Sequence, residues 1–177
     1  MTTLALALSG LLTVLAAALR FGGASLVRTP RAQALRDAAG LRSFATLVLE
    51  AEGFPAGTEM AVVLVSPGQI AEYNREFMER EGPTDVLAFP LQDLEPGKVP
   101  PHVANMPPLS LGDVFLCPAE IRRHAAAEEV PFEDYLYLLV AHGILHLLGY
   151  DHGDDEDADQ MEERETELLE MIGREAP

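Results

Sequence analysis

The sequence predicts an α+β fold, close to the α/β class, in which a single layer of helices packs on a small mixed sheet. Two observations predict this fold. Short valine-rich and leucine-rich runs of strand length alternate along the chain with longer segments of helix length. One longer segment is apolar on nearly all sides, which indicates a buried central helix. With 177 residues, 48% of them hydrophobic, the chain is long enough for one domain with a normal core.

The first half of this domain contains two helices and two strands. Residues 31–51 are predicted to form a helix, and the valine-rich run 60–65 a strand. Ser66 is an N-cap, and Pro67 at the first helical position begins a second helix that runs to about residue 78. Residues 86–89 form the next predicted strand.

The second half is predicted to be mostly helical. Residues 92–109 contain five prolines and no periodicity, so we expect a surface loop there. A strand over 110–116 and a helix over 118–129 follow. The segment 132–148 is the buried central helix, and the acidic segment 156–172 is the last helix.

Residues 1–30 are predicted to be an N-terminal extension, and residues 31–177 the domain. Residues 1–19 have no charged side chain and are close to the lower length limit of a membrane helix. Three other interpretations stay open: a signal peptide, although its positively charged region is missing, a tail that results from an upstream start codon, and an extra helix of the fold. Membrane contact through residues 1–19 is not the favoured interpretation, and the expected localisation is cytoplasmic.

The most informative motif is HGILHLLGYDH, on the central helix and the turn that follows it. His142 and His146 are four residues apart, so they lie on the same face of a helix. Gly149 ends this helix where a left-handed residue is needed, which lets His152 fold back toward the pair. Three imidazoles and one open position are typical of a catalytic zinc site, because structural zinc sites close with four protein ligands. One zinc ion is the predicted cofactor, although this ligand set also suits Ni, Co or Cu.

The same spacing matches the metzincin proteases, in which a glutamate directly after the first histidine is the general base. Gly143 occupies that position here. The site is therefore either a degenerate metallopeptidase without its base or a metal site with different chemistry. A phosphodiester needs a protein base less, and RNA in particular has its own 2′-hydroxyl.

Several segments around the motif resemble the YbeY family, the bacterial rRNA maturation factors. The histidine motif resembles the family signature, and TDVLAFP at 84–90 is similar to the family's TDVLSFP. Asn74 with its preceding tyrosine, LGDVFL at 111–116 and DQMEERETELL at 159–169 also have counterparts in the same order. The resemblance covers about residues 42–172.

This resemblance implies a zinc-dependent, single-strand-specific endoribonuclease, a hydrolase that acts in 16S rRNA 3′-end maturation and ribosome quality control. It also implies that His142, His146 and His152 are the zinc ligands. The implied partners are single-stranded RNA, 16S rRNA among it, and the small ribosomal subunit or its assembly factors; no DNA partner is expected. A non-catalytic, zinc-containing ribosome-assembly factor is the alternative function.

Other candidate site residues are two aspartates and two arginines. Asp85 and Asp113 lie at strand ends, where either one would serve as a partner of a ligand imidazole or as a general base; a role as a turn cap is the alternative. The YbeY family usually has an arginine where Met78 stands here. Arg75 and Arg80 are close in sequence and are the candidate substitutes for RNA binding.

The charge of the chain is unusual for an RNA enzyme. The net charge is −17, whereas phosphate binding relies on lysine and arginine. Ten carboxylates lie between residues 154 and 170, where we expect them to form a solvated helix face. The single cysteine, Cys117, excludes a disulfide within the chain and fits a reducing compartment.

Overall fold

The computed structural model describes residues 24–27, 38–101 and 107–177. Within them the chain forms four strands and five helices, which confirms the predicted α+β class. In chain order the elements are β1 (Ala24–Val27), α1 (Ala38–Ala51), β2 (Glu59–Leu64), α2 (Pro67–Met78), β3 (Val86–Pro90), β4 (Ser110–Leu116), α3 (Pro118–Ala127), α4 (Phe132–Leu147) and α5 (Asp155–Glu170).

The four strands form one mixed sheet in the order β1-β2-β4-β3. β2 is parallel to both β1 and β4, whereas β3 is antiparallel to β4. β1, which has only four residues, ASLV, was not predicted from the sequence. Its partner, β2, lies more than thirty residues further along the chain, so no local pattern marks it as a strand.

The N-terminal predictions lie mostly outside the described residues. The four interpretations of residues 1–19 concern none of the described positions. β1 lies within the predicted extension over 1–30 and pairs with β2; the boundary between that extension and a domain over 31–177 is otherwise untested and stays a prediction. Among the described residues, no helix combines the length and apolar composition needed to cross a membrane.

Alternating residues of the strands face two different clusters of apolar side chains. Val62 and Leu64 of β2 belong to the main core, together with side chains of α1, α4 and α5. Val63 and Val65 face the other side, where Ile70 of α2 is completely buried. This alternation is the two-residue period of a strand. The predicted layer of helices is therefore on one face of the sheet, and the structure adds α2 on the opposite face.

Capping residues and residues with a left-handed backbone determine where helices begin and end. Ser66 and Gln69 form a capping box at the start of α2, with Gln69 Oε1 accepting a 3.0 Å hydrogen bond from the Ser66 amide. α3 ends at Ala127, two residues before the predicted end, and Glu129 has a left-handed φ of 59°. A residue in this conformation cannot continue a right-handed helix.

Candidate metal centre

The end of α4 determines where the third histidine of the motif lies. The Tyr150 amide donates to the Leu145 carbonyl at 3.1 Å, and the Gly149 amide donates to the His146 carbonyl at 3.2 Å. These two bonds form a Schellman motif, with Gly149 at a φ of 92°. A Cβ on Gly149 would lie 2.1 Å from the Leu94 carbonyl oxygen, so no other residue fits. The predicted glycine turn is thus confirmed.

The turn brings the three imidazoles together. The ring centroids of His142 and His146 are 4.6 Å apart, and those of His146 and His152 are 5.0 Å apart. One nitrogen from each ring lies within 4.8 Å of the other two, and the Nε2 atoms of His142 and His146 are 3.1 Å apart. Zinc–nitrogen bonds of about 2.0–2.1 Å in a tetrahedral site require nitrogens about 3.3 Å apart. The His142–His146 pair is close to this separation, and the three side chains together form a group that can hold a metal ion.

The other ring nitrogens of the first two histidines have partners behind them. His146 Nδ1 donates to the Tyr150 carbonyl at 3.0 Å, and His142 Nδ1 lies 2.7 Å from Glu165 Oε1. A carbonyl and a carboxylate can only accept, so the protons are on Nδ1 and each Nε2 is left with a free lone pair. Burial, and then the neighbouring His142, lower the pKa of His146. The lowered pKa favours the neutral form of the ring, which is the form that binds a metal ion.

The histidines open into a cleft of about 620 Å³. One wall is formed by the end of α2 and the loop to β3, with Met78 and Arg80 among the lining residues. Asp85 and side chains of β3 continue this wall, and the segment 92–94 lies beside the histidine turn. The cleft is large enough for a nucleotide-sized ligand, and the open side of the metal centre faces it.

The comparisons with known proteins agree with this geometry. The model of a protein family described as Endoribonuclease YbeY matches residues 31–173. The chain belongs to the YbeY endoribonuclease family. Membership confirms the predicted family and the predicted class of enzyme, a hydrolase that cleaves RNA internally.

Two relatives named endoribonuclease YbeY share more than a third of their aligned residues with the chain, and one solved structure shares less. The endoribonuclease YbeY of Acidothermus cellulolyticus is 38% identical over 134 residues, which are 75% of this chain and 82% of the relative. The endoribonuclease YbeY of Sinorhizobium medicae is 38% identical over 148 residues, covering 77% and 84%. The solution structure of TM1509 from Thermotoga maritima is 28% identical, with a TM-score of 0.55 and coverage of 85% and 87%.

Gly143 has a structural role that separates this site from a peptidase. A Cβ at this position would lie 2.5 Å from Val114 Cγ1 of β4, so Gly143 faces the sheet and not the cleft. α4 packs closely on β4 there because the glycine has no side chain. A glutamate at 143 would be driven into the core, and the position that bears the metzincin base is thus part of the packing in this YbeY-family protein.

The structure places the four remaining candidate residues differently. Asp85 and Arg80 line the cleft, whereas Asp113 and Arg75 are not among the described residues that line it. The predicted position of Asp113 at a strand end is wrong: it is in the middle of β4, where its Cα pairs with that of Phe89 of β3, and burial raises its pKa. Arg75 is exposed on α2.

The Asp85 carboxylate is held by donors on both oxygens. Oδ2 accepts from His124 Nδ1 at 2.8 Å and from the Tyr135 hydroxyl at 3.2 Å. Oδ1 accepts from the Val86 amide at 3.0 Å and from Thr84 at 3.2 Å. Burial raises the pKa of Asp85, but the hydrogen bonds, that of His124 first, outweigh it and leave the pKa below its ordinary value. Such a carboxylate is a poor proton acceptor.

Glu165, whose carboxylate holds His142, was not predicted as a site residue from the sequence. It was one of the ten carboxylates expected on a solvated helix face, yet it is only 8% exposed. The other buried residues of α5 are Met161, Leu168 and Leu169. Glu165 therefore lies on the apolar face of an amphipathic helix. A carboxylate on that face indicates a buried partner, and this pattern could have marked Glu165 in the sequence.

Proposed function

We propose that this protein is a zinc-dependent, single-strand-specific endoribonuclease that acts in the cytoplasm in 16S rRNA 3′-end maturation and ribosome quality control. The observation that supports it best is the convergence of His142, His146 and His152 on one side of an open cleft, with two of the rings held from behind. Membership of the YbeY family supports RNA as the substrate.

Different residues of the site bind the metal ion, orient its ligands and bind the substrate. His142, His146 and His152 would hold the zinc ion, which would supply the Lewis acidity needed to polarise a phosphoryl oxygen or activate a water. His142 and His146 keep their Nε2 atoms directed at one point because Glu165 and the Tyr150 carbonyl hold Nδ1. Arg80 is the one arginine or lysine among the described residues lining the cleft, and we assign it to binding a backbone phosphate.

Three aspartates line the cleft, Asp85, Asp93 and Asp151, but none of them stands at the position of the metzincin base. Asp85 accepts four hydrogen bonds, and Gly143 offers no carboxylate. An RNA substrate that contributes its own 2′-hydroxyl suits such a site, whereas a peptide substrate does not. The same reasoning predicts that DNA of identical sequence resists cleavage.

The test compares substrates and variants. Zinc-loaded protein is incubated with single-stranded RNA, with DNA of the same sequence and with casein, and the assay is repeated with His146→Ala and His152→Ala. We expect cleavage of RNA alone. We also expect a loss on the order of 100-fold or more in both variants, because a metal ion contributes several kcal/mol to charge stabilisation. His152 is exposed, so its truncation leaves the core intact.

Two outcomes would contradict the proposal. RNA cleavage at the wild-type rate in both variants would exclude the metal mechanism, and cleavage of casein would favour a peptidase.

The cellular role is tested by depletion in the host, which should lead to accumulation of 16S rRNA with an unprocessed 3′ end. Wild-type protein should restore processing and His146→Ala should not.

One observation favours a second function, a non-catalytic, zinc-containing ribosome-assembly factor. Met78 lines the cleft and is 39% exposed at the position where YbeY proteins usually have an arginine. A phosphate-binding group is thereby replaced by an apolar one. Association of the wild-type protein with the small ribosomal subunit, without cleavage of any RNA, would support this alternative.

A further inference from the structure

A buried carboxylate lies behind the metal centre, outside the cleft. Glu52 directly follows α1, and its side chain is only 4% exposed. Its Oε2 accepts from the Tyr150 hydroxyl at 3.1 Å, and its Oε1 accepts from Arg164 Nε at 2.6 Å. Arg164 also donates to the Ala51 carbonyl at 3.3 Å. The end of α1 is thus connected to the histidine turn and to α5.

Both partners of Glu52 are next to the groups that hold the imidazoles. Tyr150 provides the carbonyl that accepts from His146 Nδ1. Arg164 directly precedes Glu165 in α5, and Glu165 accepts from His142 Nδ1. One carboxylate therefore connects the two segments that contact the Nδ1 atoms of His142 and His146.

We propose that Glu52 is a positioning residue for the metal centre: it holds the Tyr150 turn and α5 together so that His142 and His146 stay directed at one ion. The proposal rests on the metal site of the proposed function. Groups that orient ligand imidazoles determine metal affinity, and losing one typically weakens binding by about 10–100-fold. Glu52 acts one step further out, so we expect an effect near the lower limit.

The charges around Arg164 separate this role from simple ion pairing. Arg164 also forms an ion pair with Glu167 on the exposed side, so the guanidinium keeps a partner when Glu52 is removed. The Tyr150 hydroxyl has Glu52 as its acceptor. Truncation of Glu52 therefore frees the turn that orients His146 more than it disturbs the charge balance of α5.

Zinc affinity tests the proposal without an activity assay. Zinc dissociation constants are measured by competition with a chromophoric chelator for wild type, Glu52→Ala, Glu52→Gln and Tyr150→Phe. Glu50→Ala, at an exposed site in the last turn of α1, is the matched control. The absorption spectra of the cobalt-substituted proteins report ligand geometry, and the melting temperatures of the metal-free proteins report stability.

We expect Glu52→Ala to bind zinc about tenfold more weakly and to have an altered cobalt spectrum, while Glu50→Ala matches the wild type. Tyr150→Phe should reproduce part of the loss, and Glu52→Gln should keep part of the affinity because its amide oxygen still accepts from Tyr150. Wild-type affinity and spectrum in Glu52→Ala, with only a lower melting temperature, would overturn the proposal.

Two further results are decisive. If Glu52→Ala does not fold, Tyr150→Phe decides, because it removes a single hydroxyl; wild-type affinity in that variant would overturn the positioning role. If the wild type itself bound no zinc, the metal centre of the proposed function would be refuted and this proposal with it. Failure of the positioning role alone would leave wild-type zinc binding intact.

Discussion

At the scale of single residues, hydrogen bonding determines what each carboxylate of the site can do. Glu165 and Asp85 are both acidic residues whose partners include a histidine, yet they differ in role. Glu165 contacts a histidine of the metal centre at 2.7 Å, whereas Asp85 contacts His124, which is outside that centre, at 2.8 Å. Asp85 lines the cleft, and its hydrogen bond to His124 helps to keep the pKa of its carboxyl low, which favours the ionised form.

The ionised state of Asp85 predicts a pH-dependent contribution to stability. Its pKa lies below the ordinary value, so its contribution is present above the unfolded-state pKa of about 3.9 and is lost as pH falls through the lower folded-state pKa. We expect Asp85→Asn to lower the free energy of unfolding by about 1–2 kcal/mol at pH 7, and by clearly less at pH 3. Urea unfolding of both proteins at the two pH values measures this difference.

The control for this prediction is Asp93→Asn, since Asp93 lines the same cleft but is exposed. That substitution should change stability by less than about 0.5 kcal/mol at either pH. A difference between wild type and Asp85→Asn that is equal at pH 7 and pH 3 would contradict the assignment of an ionised, hydrogen-bonded carboxylate.

The residues of the site differ in how far the sequence reveals them. The three histidines are predictable because their spacing and the glycine between them are local. Glu52 and Glu165 are not, since their partners lie 98 and 23 residues away in the chain. Long-range contacts such as these depend on how helices pack, and a single sequence contains no direct signal for that packing. For Glu165, its position on the apolar face of α5 is the sequence feature that comes nearest to such a signal.

At the scale of secondary-structure elements, α4 positions the site because it packs closely on β4. Helix ends that have strong local signals were predictable: α2 begins after the Ser66 N-cap as expected, and α4 ends at the glycine turn. β1 has no such signal, and its identity as a strand comes from pairing with β2. The division of the helices between the two faces of the sheet likewise depends on tertiary contacts.

Gly143 offers a test of this packing because two effects on it have opposite signs. Helix propensity alone predicts that Gly143→Ala stabilises α4 by about 1 kcal/mol. The new Cβ, however, would lie 2.5 Å from Cγ1 of Val114, a completely buried, β-branched residue in a strand. We expect the overlap to dominate, with a net loss of about 1–3 kcal/mol, measured as the change in the free energy of unfolding.

Two further variants make the sign informative. Gly68→Ala in α2 has open space around the new methyl group and should be neutral or stabilising. Val114→Ala makes room for the methyl group, so the double variant should be more stable than the two single losses add up to. A stabilised Gly143→Ala protein would show that β4 yields easily and that the close approach of α4 is not required.

At the scale of the whole molecule, charge opposes the proposed substrate. The net charge of −17 repels a polyanion, and the acidic residues of the first turn of α5 follow His152 closely in the chain. RNA must therefore be held by local contacts in the cleft and not by the overall field. Arg80 is the described lining residue suited to this, and Met78 is an exposed lining position where a second cation can be introduced.

The salt dependence of RNA binding measures that effect. Each phosphate contact to a single strand adds about −0.7 to the slope of log affinity against log salt. In metal-free protein, which leaves the RNA uncut, Met78→Arg should steepen this slope by about 0.7 and tighten binding at low salt by up to about fivefold. Fluorescence anisotropy of a labelled RNA measures both.

The matched control for Met78→Arg is Met171→Arg. Met171 is 58% exposed at the end of α5 and is not among the described residues lining the cleft, yet its substitution changes the net charge by the same amount. The slope should be unchanged in that variant. Equal effects of the two substitutions would mean that RNA responds to the total charge of the molecule, and the cleft would lose its assignment as the binding site. An effect confined to position 78 would place a phosphate of the RNA beside the three histidines.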